Sequence, residues 1–301
     1  MGTPEFAVPS LKLLYQSSHE VIAVVTVPDK PKGRGQKLQF SEIKIAALDL
    51  GIKILQPEKL KDENFVNELK ELAPDIIIVT AFRILPPEVY KIPKFGSFNL
   101  HASLLPKYRG AAPINWAIIN GENETGVTTF FLQDKVDTGN IILQEKTEIQ
   151  DLDNFGTMYE KLSVIGAELT IKTVERISEG NVEVQNQDDS LASPAPKIFK
   201  EDCKINWNDT AENIFNFIRG LSPYPTAFTQ IDGKVLKIFE SEKTSLQSAK
   251  PGVMFVKEKA LYISAKDNCL KINSLQLEGK KRMPAADFIN SLDKAKEYIL
   301  S

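Results

Sequence analysis

Short apolar runs alternate with amphipathic stretches over residues 1–184. The apolar runs, which are rich in β-branched residues, predict strands at Val21–Val27, Ile76–Ala81, Phe98–His101, Gly126–Leu132 and Ile141–Leu143. Apolar residues at helical spacing predict helices at Phe6–Gln16, Ser41–Leu50, Pro57–Leu72 and about Asn154–Glu179. Alternating strands and helices favour one parallel sheet, and the pattern therefore predicts a doubly wound, Rossmann-like α/β fold.

The pattern changes after residue 184. Residues 185–202 are rich in Asp, Ser, Asn and Pro, which is typical of a semi-extended linker. Beyond a helical pattern near residue 214, short strands are predicted at Thr226–Ile231, Val235–Phe239, Gly252–Val256, Ala260–Ser264 and Leu270–Leu277. Such strands favour a small barrel, although spacing alone does not distinguish it from another β fold. We therefore predict two domains, residues 1–184 and 203–301.

Composition places the chain among globular proteins. Its 301 residues, of which 42% are hydrophobic and 26% charged, can form two hydrophobic cores. No apolar stretch approaches the roughly 20 residues of a membrane helix, and no signal-peptide pattern is seen, so the expected location is the cytoplasm. Cys203 and Cys269 lie far apart in the sequence and suggest neither a disulfide framework nor a zinc site.

Charge is unevenly distributed, although the net charge is only -3. Residues 201–301 carry 15 Lys or Arg and 13 Asp or Glu, whereas residues 1–200 carry 22 and 27. Two basic clusters stand out: a Gly-containing loop with Lys30, Lys32, Arg34 and Lys37, and the run Lys280, Lys281 and Arg282. Basic side chains of this kind suit contacts to phosphates, but a merely solvated loop has the same pattern.

Three residues form the candidate catalytic group. Asn99 and His101 end one predicted strand, and Asp137 follows the next one. A carboxamide can donate to an oxyanion, an imidazole can move a proton near neutral pH, and a carboxylate can orient that imidazole. Because none of them needs to act as a nucleophile, the group favours formyl or acyl transfer to a substrate amine. Each residue also has an interpretation without catalysis. Asn99 and Asp137 could be turn residues, and His101 could be a half-buried histidine whose hydrogen bonds are made within the protein.

The segment from Asn99 to Ile114 resembles the signature of formyltransferases that use 10-formyltetrahydrofolate, and most closely of those that act on methionyl-tRNA. Further segments resemble the same family in the same order: Met1–Pro9, Pro28–Gly35, Val136–Gly139 and Ser193–Ile198. Since these segments cover nearly the whole chain, the resemblance is far more specific than a lone Asn-x-His motif.

The resemblance implies transfer of the formyl group from 10-formyltetrahydrofolate to the α-amine of methionyl initiator tRNA, without a metal ion. Asn99 would hydrogen-bond the oxyanion, His101 would stabilise it or shuttle a proton, and Asp137 would hold and charge His101. The second domain would be an oligonucleotide-binding (OB)-like barrel that binds tRNA. We expect a monomer.

The resemblance also implies two binding surfaces. The implied folate contacts are Phe82, Ile84, Ser103, Leu104, Leu105, Pro106 and Asp137. The implied tRNA contacts are Lys30, Lys32, Arg34, Lys37, Lys280, Lys281 and Arg282, with Arg34 the contact expected from the family. The pair Phe82-Arg83 departs from the Tyr-Gly that is frequent in the family at this place.

Three alternatives stay open. A glycinamide ribonucleotide formyltransferase usually ends after one domain, and about 100 residues follow the linker here. A sugar-nucleotide formyltransferase typically has a larger basic residue in place of Ala111. A tRNA-binding module without activity would not need the catalytic group.

The resemblance also places an apolar strand immediately before Gly2-Thr3-Pro4. That strand would be central in the sheet, and its loss would leave main-chain groups unpaired. We therefore expect an in-frame upstream start that adds roughly 5 to 10 residues, about the length of one strand.

Overall fold

The computed structural model describes residues 1–32, 37–293 and 298–301, and for Lys32 and Lys37 it describes the main chain only. The helices are α1 (Val8–Gln16), α2 (Glu42–Asp49), α3 (Glu63–Glu71), α4 (Pro87–Tyr90), α5 (Pro113–Ile119), α6 (Phe155–Ser178), α7 (Ala211–Gly220) and α8 (Ala285–Ile289). Short 3-10 helices lie at Glu5–Ala7, Asp189–Leu191 and Glu201–Cys203.

The strands are mostly short. In chain order they are β1 (Val24–Val25), β2 (Lys30–Lys32), β3 (Lys37–Gln39), β4 (Ile54–Leu55), β5 (Ile77–Thr80), β6 (Ser97–His101), β7 (Arg109–Gly110), β8 (Glu124–Phe131), β9 (Ile141–Glu148), β10 (Pro194–Ala195), β11 (Ala227–Ile231), β12 (Lys234–Gln247), β13 (Val253–Lys257), β14 (Ala260–Ser264), β15 (Asn268–Leu277), β16 (Met283–Pro284) and β17 (Tyr298–Ile299).

The chain divides into two compact units. The first contains residues 1–110, 125–147 and 159–195, and the second contains residues 111–124, 148–158 and 196–301. The first part of the expected linker is packed, because Gln185 bridges to Ile141 and β10 pairs with β7. No helix in the described part of the chain is long and apolar enough to cross a membrane.

The first unit has the predicted Rossmann-like α/β arrangement. Strands β1 and β4 form one parallel pair, and β5, β6, β8 and β9 form a four-stranded sheet in that order. Strands β5 and β6 are parallel, whereas β6 and β8 are antiparallel. The sheet is therefore mixed, and its parallel part contains the strand that carries Asn99 and His101.

Helix α6 supports the strand that carries the site. Residues Val174 and Ile177 of this helix belong to one buried cluster with Phe98 and Ile142. Gly166 faces Leu100, and a Cβ on this glycine would lie 2.8 Å from a Leu100 methyl carbon. The missing side chain therefore allows the helix to pack closely on the strand, and this packing fixes the position of β6.

Two predicted elements are shorter in the structure. The helix expected over Pro57–Leu72 begins only at Glu63, because the Asp62 side chain caps it by accepting from the amides of Asn64 and Phe65. Only Val24 and Val25 of the strand expected over Val21–Val27 are paired as a strand.

Beside β1 the sheet is open. The amide of Gly2 donates to the Val25 carbonyl and that of Thr80 to the Met1 carbonyl, at 3.0 and 2.9 Å. Below these bonds lies a cavity of about 460 Å³, lined among others by residues 21–25 and 76–78. Val21–Ala23 border this cavity, and within the described residues no strand lies on that side of them.

The second unit is a barrel-like antiparallel sheet, as predicted. Its main path runs β11-β12-β15-β14-β13-β17, and neighbouring strands along this path are antiparallel. Strand β12 is much longer than the predicted Val235–Phe239, and register shifts after Ile238 let it curve. The core of the second unit includes Ile214, Ile218, Leu236, Ile238, Leu261, Ile263 and Leu275.

Candidate active site

Strand β6 brings Asn99 and His101 to the same face, because residues two apart in a strand point the same way. Thr80 of β5 pairs with Leu100 in parallel, so the segments after both strands emerge at one edge of the sheet. Ligands bind at this carboxyl edge in sheets of this kind.

His101 is buried, and one of its ring nitrogens is already committed. Its Nε2 lies 2.8 Å from the carbonyl oxygen of Tyr108. A carbonyl only accepts hydrogen bonds, so Nε2 carries a hydrogen and donates. The other nitrogen, Nδ1, faces Asp137 with 4.0 Å to Oδ2. Nδ1 is therefore the nitrogen that can exchange a proton with a substrate.

Asp137 lies in the loop between β8 and β9 and is shaped by its backbone. It adopts φ +55°, the left-handed region that few residues other than glycine occupy. Its Oδ2 accepts a hydrogen bond from the Gly110 amide at 2.9 Å. This bond helps to stabilise the charged carboxylate and holds it beside His101.

The Asn99 side chain is half-buried, while its main chain pairs on both sides, with Val79 and Phe130. Its carboxamide makes no hydrogen bond within residues 1–32, 37–293 and 298–301. The amide group is therefore available to donate to an oxyanion. Asn99 and His101 therefore share one face of β6, and the Asp137 carboxylate lies 4.0 Å from His101.

The loop after His101 is fixed by Thr128. The Thr128 hydroxyl donates to the Ser103 carbonyl at 2.6 Å and accepts from the Leu105 amide at 3.1 Å. Ser103 donates to the Lys107 carbonyl, and the Leu105 side chain is buried with Phe130 and Ile141.

The expected folate residues of this loop differ in the burial of their side chains. The side chains of Ser103 and Leu105 are buried, and the Leu105 carbonyl also accepts from the Gln144 amide at 2.9 Å, so both residues hold the loop in place from its inner side. Leu104 and Pro106 are half-buried and offer apolar side-chain surface.

The segment after β5 contributes the remaining expected folate residues. Ile84 is 74% exposed although it is apolar, and Phe82 beside it is half-buried. The Arg83 guanidinium donates to the carbonyls of Pro57 and Glu58, both at 2.8 Å. The arginine that departs from the family pattern thus ties this segment to the preceding loop, and it leaves an apolar surface free at the edge of the sheet.

The predicted basic clusters differ in how they are engaged. Lys30 is exposed on β2, and Lys280 and Lys281 are exposed after β15. Arg34 lies outside the described residues, as do the side chains of Lys32 and Lys37.

Arg282 is bound within the second unit. Its guanidinium forms an ion pair with Glu240, donates to the Ser274 hydroxyl and lies 4.4 Å from the Phe239 ring centroid. These contacts occupy part of its hydrogen-bonding capacity, so its contact with a phosphate would be weaker than the lysines'.

Sequence reasoning missed two supports of this site. The Tyr108 carbonyl sets the orientation of His101, and the Gln187 side chain contacts the loop that carries Asp137. Contacts to main-chain carbonyls leave no residue-type signal, so a single sequence could not have shown them. The described residues contain no group of three or more His, Cys, Asp or Glu that could hold a metal ion.

Comparison with known proteins gives matches along nearly the whole chain. The family model "Formyl transferase" matches residues 1–174, and "Formyl transferase, C-terminal domain" matches residues 197–293. The methionyl-tRNA formyltransferase of Parabacteroides distasonis is 48% identical over 99% of this chain and 96% of that protein. The one from Chlorobium phaeovibrioides is 50% identical over 96% of this chain and 93% of that protein.

A solved structure shares the fold across both units. It is an N-formyltransferase from Helicobacter canadensis in complex with folinic acid and dTDP-3-aminofucose, and it is 26% identical, with a TM-score of 0.68. The match covers 94% of this chain and 97% of that one. The matches to both family models and to relatives along nearly the full length lead to one conclusion: this chain belongs to the formyltransferase family.

Proposed function

We propose that this chain transfers the formyl group of 10-formyltetrahydrofolate to the α-amine of methionyl initiator tRNA. The product is N-formylmethionyl-tRNA, which serves translation initiation. The observation that carries the proposal is the approach of the Asp137 carboxylate to His101 Nδ1, on the strand that also carries Asn99. Relatives that are about half identical over nearly the whole chain and are named methionyl-tRNA formyltransferases support the choice of acceptor.

The reaction needs stabilisation of charge on one oxygen and the removal of one proton. The α-amine attacks the formyl carbon, a nitrogen–carbon bond forms, and the carbonyl electrons move to the oxygen. Asn99 donates a hydrogen bond to this oxyanion. The carbon–nitrogen bond to the folate then breaks, the folate nitrogen takes a proton, and the formyl group remains on methionine.

The proton lost by the amine goes to the pair of His101 and Asp137. Nδ1 accepts it because Nε2 is occupied by the Tyr108 carbonyl. The Asp137 carboxylate at 4.0 Å then stabilises the imidazolium.

The folate would lie along the carboxyl edge of the sheet. We assign its apolar contacts to Ile84, Phe82, Leu104 and Pro106, which present apolar surface after β5 and β6. Ser103 and Leu105 would shape this surface by holding the loop in place through their bonds to Thr128 and Gln144, and Asp137 would border the reacting end.

The tRNA would contact basic residues in both parts of the chain. The proposed contacts are Lys30, Lys32, Arg34, Lys37, Lys280, Lys281 and Arg282, with residues 203–301 as the tRNA-binding domain. We propose that the protein acts as a monomer in the cytoplasm. No nucleophilic side chain is assigned a role, since the attacking amine belongs to the substrate.

A transfer assay tests the proposal. The protein is incubated with formyl-labelled 10-formyltetrahydrofolate and either charged initiator tRNA or a dTDP-amino sugar, the acceptor class suggested by the Helicobacter canadensis complex. We expect label on methionyl-tRNA and none on the sugar nucleotide. Uncharged tRNA is the control. Label on the sugar, or on neither acceptor, would overturn the proposal.

A further inference from the structure

Gln187 stands out in a segment that is otherwise open to solvent. Residues 183–186 and 188–191 are exposed, while Gln187 is half-buried. The segment is held at both ends, since Gln185 bridges to Ile141 and the Arg109 amide donates to the Ser193 carbonyl at 2.9 Å. Gln187 is thus placed by main-chain bonds between the loop that carries Asp137 and strand β7.

The Gln187 amide uses its whole hydrogen-bonding capacity. Its Nε2 donates to the carbonyls of Asp137 and Gly139, at 3.0 and 2.8 Å. Its Oε1 accepts from Nε and Nη2 of Arg109, at 3.0 and 2.8 Å. An amide has two donor hydrogens and two acceptor lone pairs, so all four are satisfied. The Nη2 of Arg109 also forms an ion pair with the Asp189 carboxylate, at 2.7 Å.

One of the two carbonyls belongs to Asp137 itself, and the other belongs to Gly139, two residues further along the same turn. Asp137 occupies the left-handed region, which is unfavourable for a residue other than glycine. Such a conformation persists only when surrounding contacts fix it. Gly139 adds a constraint, because a Cβ there would overlap the Phe131 carbonyl.

Arg109 and Gly110 are linked to both the main chain and the side chain of Asp137. The Gly110 amide binds the Asp137 carboxylate, and the neighbouring Arg109 binds the amide that clamps the Asp137 main chain. Both the main chain and the side chain of Asp137 are therefore held by contacts to the same two-residue strand, β7. A shift of the loop would break both sets of bonds.

We propose that Gln187 is a positioning residue that holds Asp137 in its left-handed turn and so keeps the carboxylate facing His101. The inference rests on the proposed formyl transfer. Gln187 acts through Asp137 and does not touch the reacting atoms. A displacement of about 1 Å in a catalytic group can lower a rate by about a hundredfold, so loss of the clamp should affect the chemical step.

The test variant is Gln187→Glu. It keeps the side-chain length and the acceptor for Arg109, but it turns the two donors into lone pairs that face two carbonyls. Asn186→Asp is the matched control: it makes the same amide-to-carboxylate change on the preceding exposed residue. We expect Gln187→Glu to lower kcat by about tenfold or more with KM for tRNA changed less than about twofold, and Asn186→Asp to match the unmodified protein.

A double-mutant cycle separates positioning from a general structural effect. Gln187→Glu is combined with Asp137→Asn, and single-turnover rates are measured at saturating substrates. If Gln187 acts through Asp137, the second change should cost less than about twofold in the Asp137→Asn background. An equal, additive loss in both backgrounds would overturn the proposal.

Folding and the parent activity are checked in the same series. Melting temperatures are measured for all variants, and Gln187→Met, which has similar length and no charge, replaces Gln187→Glu if that protein does not fold. Activity equal to the unmodified protein in either variant would overturn the positioning role. No transfer by the unmodified protein would instead refute the proposed function, so the two failures are distinguishable.

Discussion

The chemistry of the site depends on which nitrogen of His101 is free. The Tyr108 carbonyl binds Nε2, and Tyr108 itself has φ +62°, a left-handed backbone like that of Asp137. Ala81, at the end of β5, has φ +48°. Three residues other than glycine thus adopt this unfavourable region in the segments that border the site. Five further residues with this backbone lie elsewhere in the described chain, so the conformation points to the site only together with the contacts of His101 and Asp137.

Removing either member of the proton-accepting pair should slow transfer without weakening tRNA binding. We expect His101→Ala and Asp137→Asn each to lower the formyl-transfer rate by about a hundredfold or more, as is usual for a positioned acid–base group. Single-turnover kinetics measure the rate, and filter binding measures tRNA affinity. His19→Ala, which replaces the other histidine, is the control. Turnover close to that of the unmodified protein in either site variant would contradict the mechanism.

The sequence indicates the candidate residues of the site but not the contacts that hold them. Asn99 and His101 share a strand, so their common face follows from the period of two. Asp137 is assigned through resemblance, because nothing in its local pattern shows that the chain returns to His101. Gln187 lies in a polar segment and binds main-chain carbonyls, and its role depends on a contact across about 50 residues.

At the scale of elements, predictions were most accurate where a local signal ends the element. Helix α2 begins after Ser41, whose hydroxyl accepts from the Lys44 amide, and helix α6 ends just before Gly180. The antiparallel direction of β8 and the full length of β12 could not be predicted. Both depend on partner strands that are distant in the sequence.

We call the segment between Thr26 and Ser41 the arm, and contacts fix the residues at its two ends. The hydroxyls of these two residues are 2.9 Å apart, and strands β2 and β3 pair beyond them. Asp29 accepts from Lys44 and Gln56, at 2.5 and 2.9 Å. The hydrogen bond from Lys44, and next the one from Gln56, lower the pKa of the Asp29 carboxyl, so it remains charged at neutral pH. These contacts fix the start of the segment, next to the exposed Lys30.

If the arm binds phosphates, its lysines should set the salt dependence of tRNA binding. We expect Lys30→Ala combined with Lys37→Ala to weaken binding and to reduce the slope of log K against log salt by about one unit for each lost contact. The single-turnover rate at saturating tRNA should not change. Arg34→Ala should raise KM for charged tRNA and also slow transfer, because a guanidinium can orient a phosphate as well as attract it.

A charge-matched control is available on the helices of the first unit. Lys12→Ala combined with Lys70→Ala removes two exposed lysines from α1 and α3, outside the arm. Binding is measured from low to high salt for both double variants. An affinity that is unchanged across salt in the arm variant would mean that the arm is only solvated. Recognition of tRNA would then lie in the second unit, around Lys280 and Lys281.

At the scale of the whole molecule, the first unit has a gap in its sheet. The β1–β4 pair and the four-stranded sheet are bridged, within the described residues, by Met1 and Gly2. Below this bridge, residues 21–23 and 76–78 line the cavity of about 460 Å³. Main-chain groups and apolar side chains of both strands face a space that could take one extended segment.

The expectation of a strand before Met1 stays a prediction, and stability can test it. When Met1 is the first residue, burial lowers the pKa of its amine to about 5. The unfolded chain then binds a proton that the folded chain lacks, so stability should fall as pH falls from about 8 toward 5. An upstream extension replaces this amine by a peptide bond, which does not titrate. Extended chains should therefore lack this pH dependence.

An extension of six apolar, β-branched residues before Met1 should also fill the cavity. Each buried side chain contributes about 1.5 to 3 kcal/mol, and 1 kcal/mol raises Tm by about 2 to 4 °C in a unit of this size. We expect Tm to rise by at least about 5 °C relative to an extension of equal length made of Gly and Ser, which pairs poorly and buries little. Equal melting temperatures for the two extended chains would show that no strand enters the space between β1 and β5.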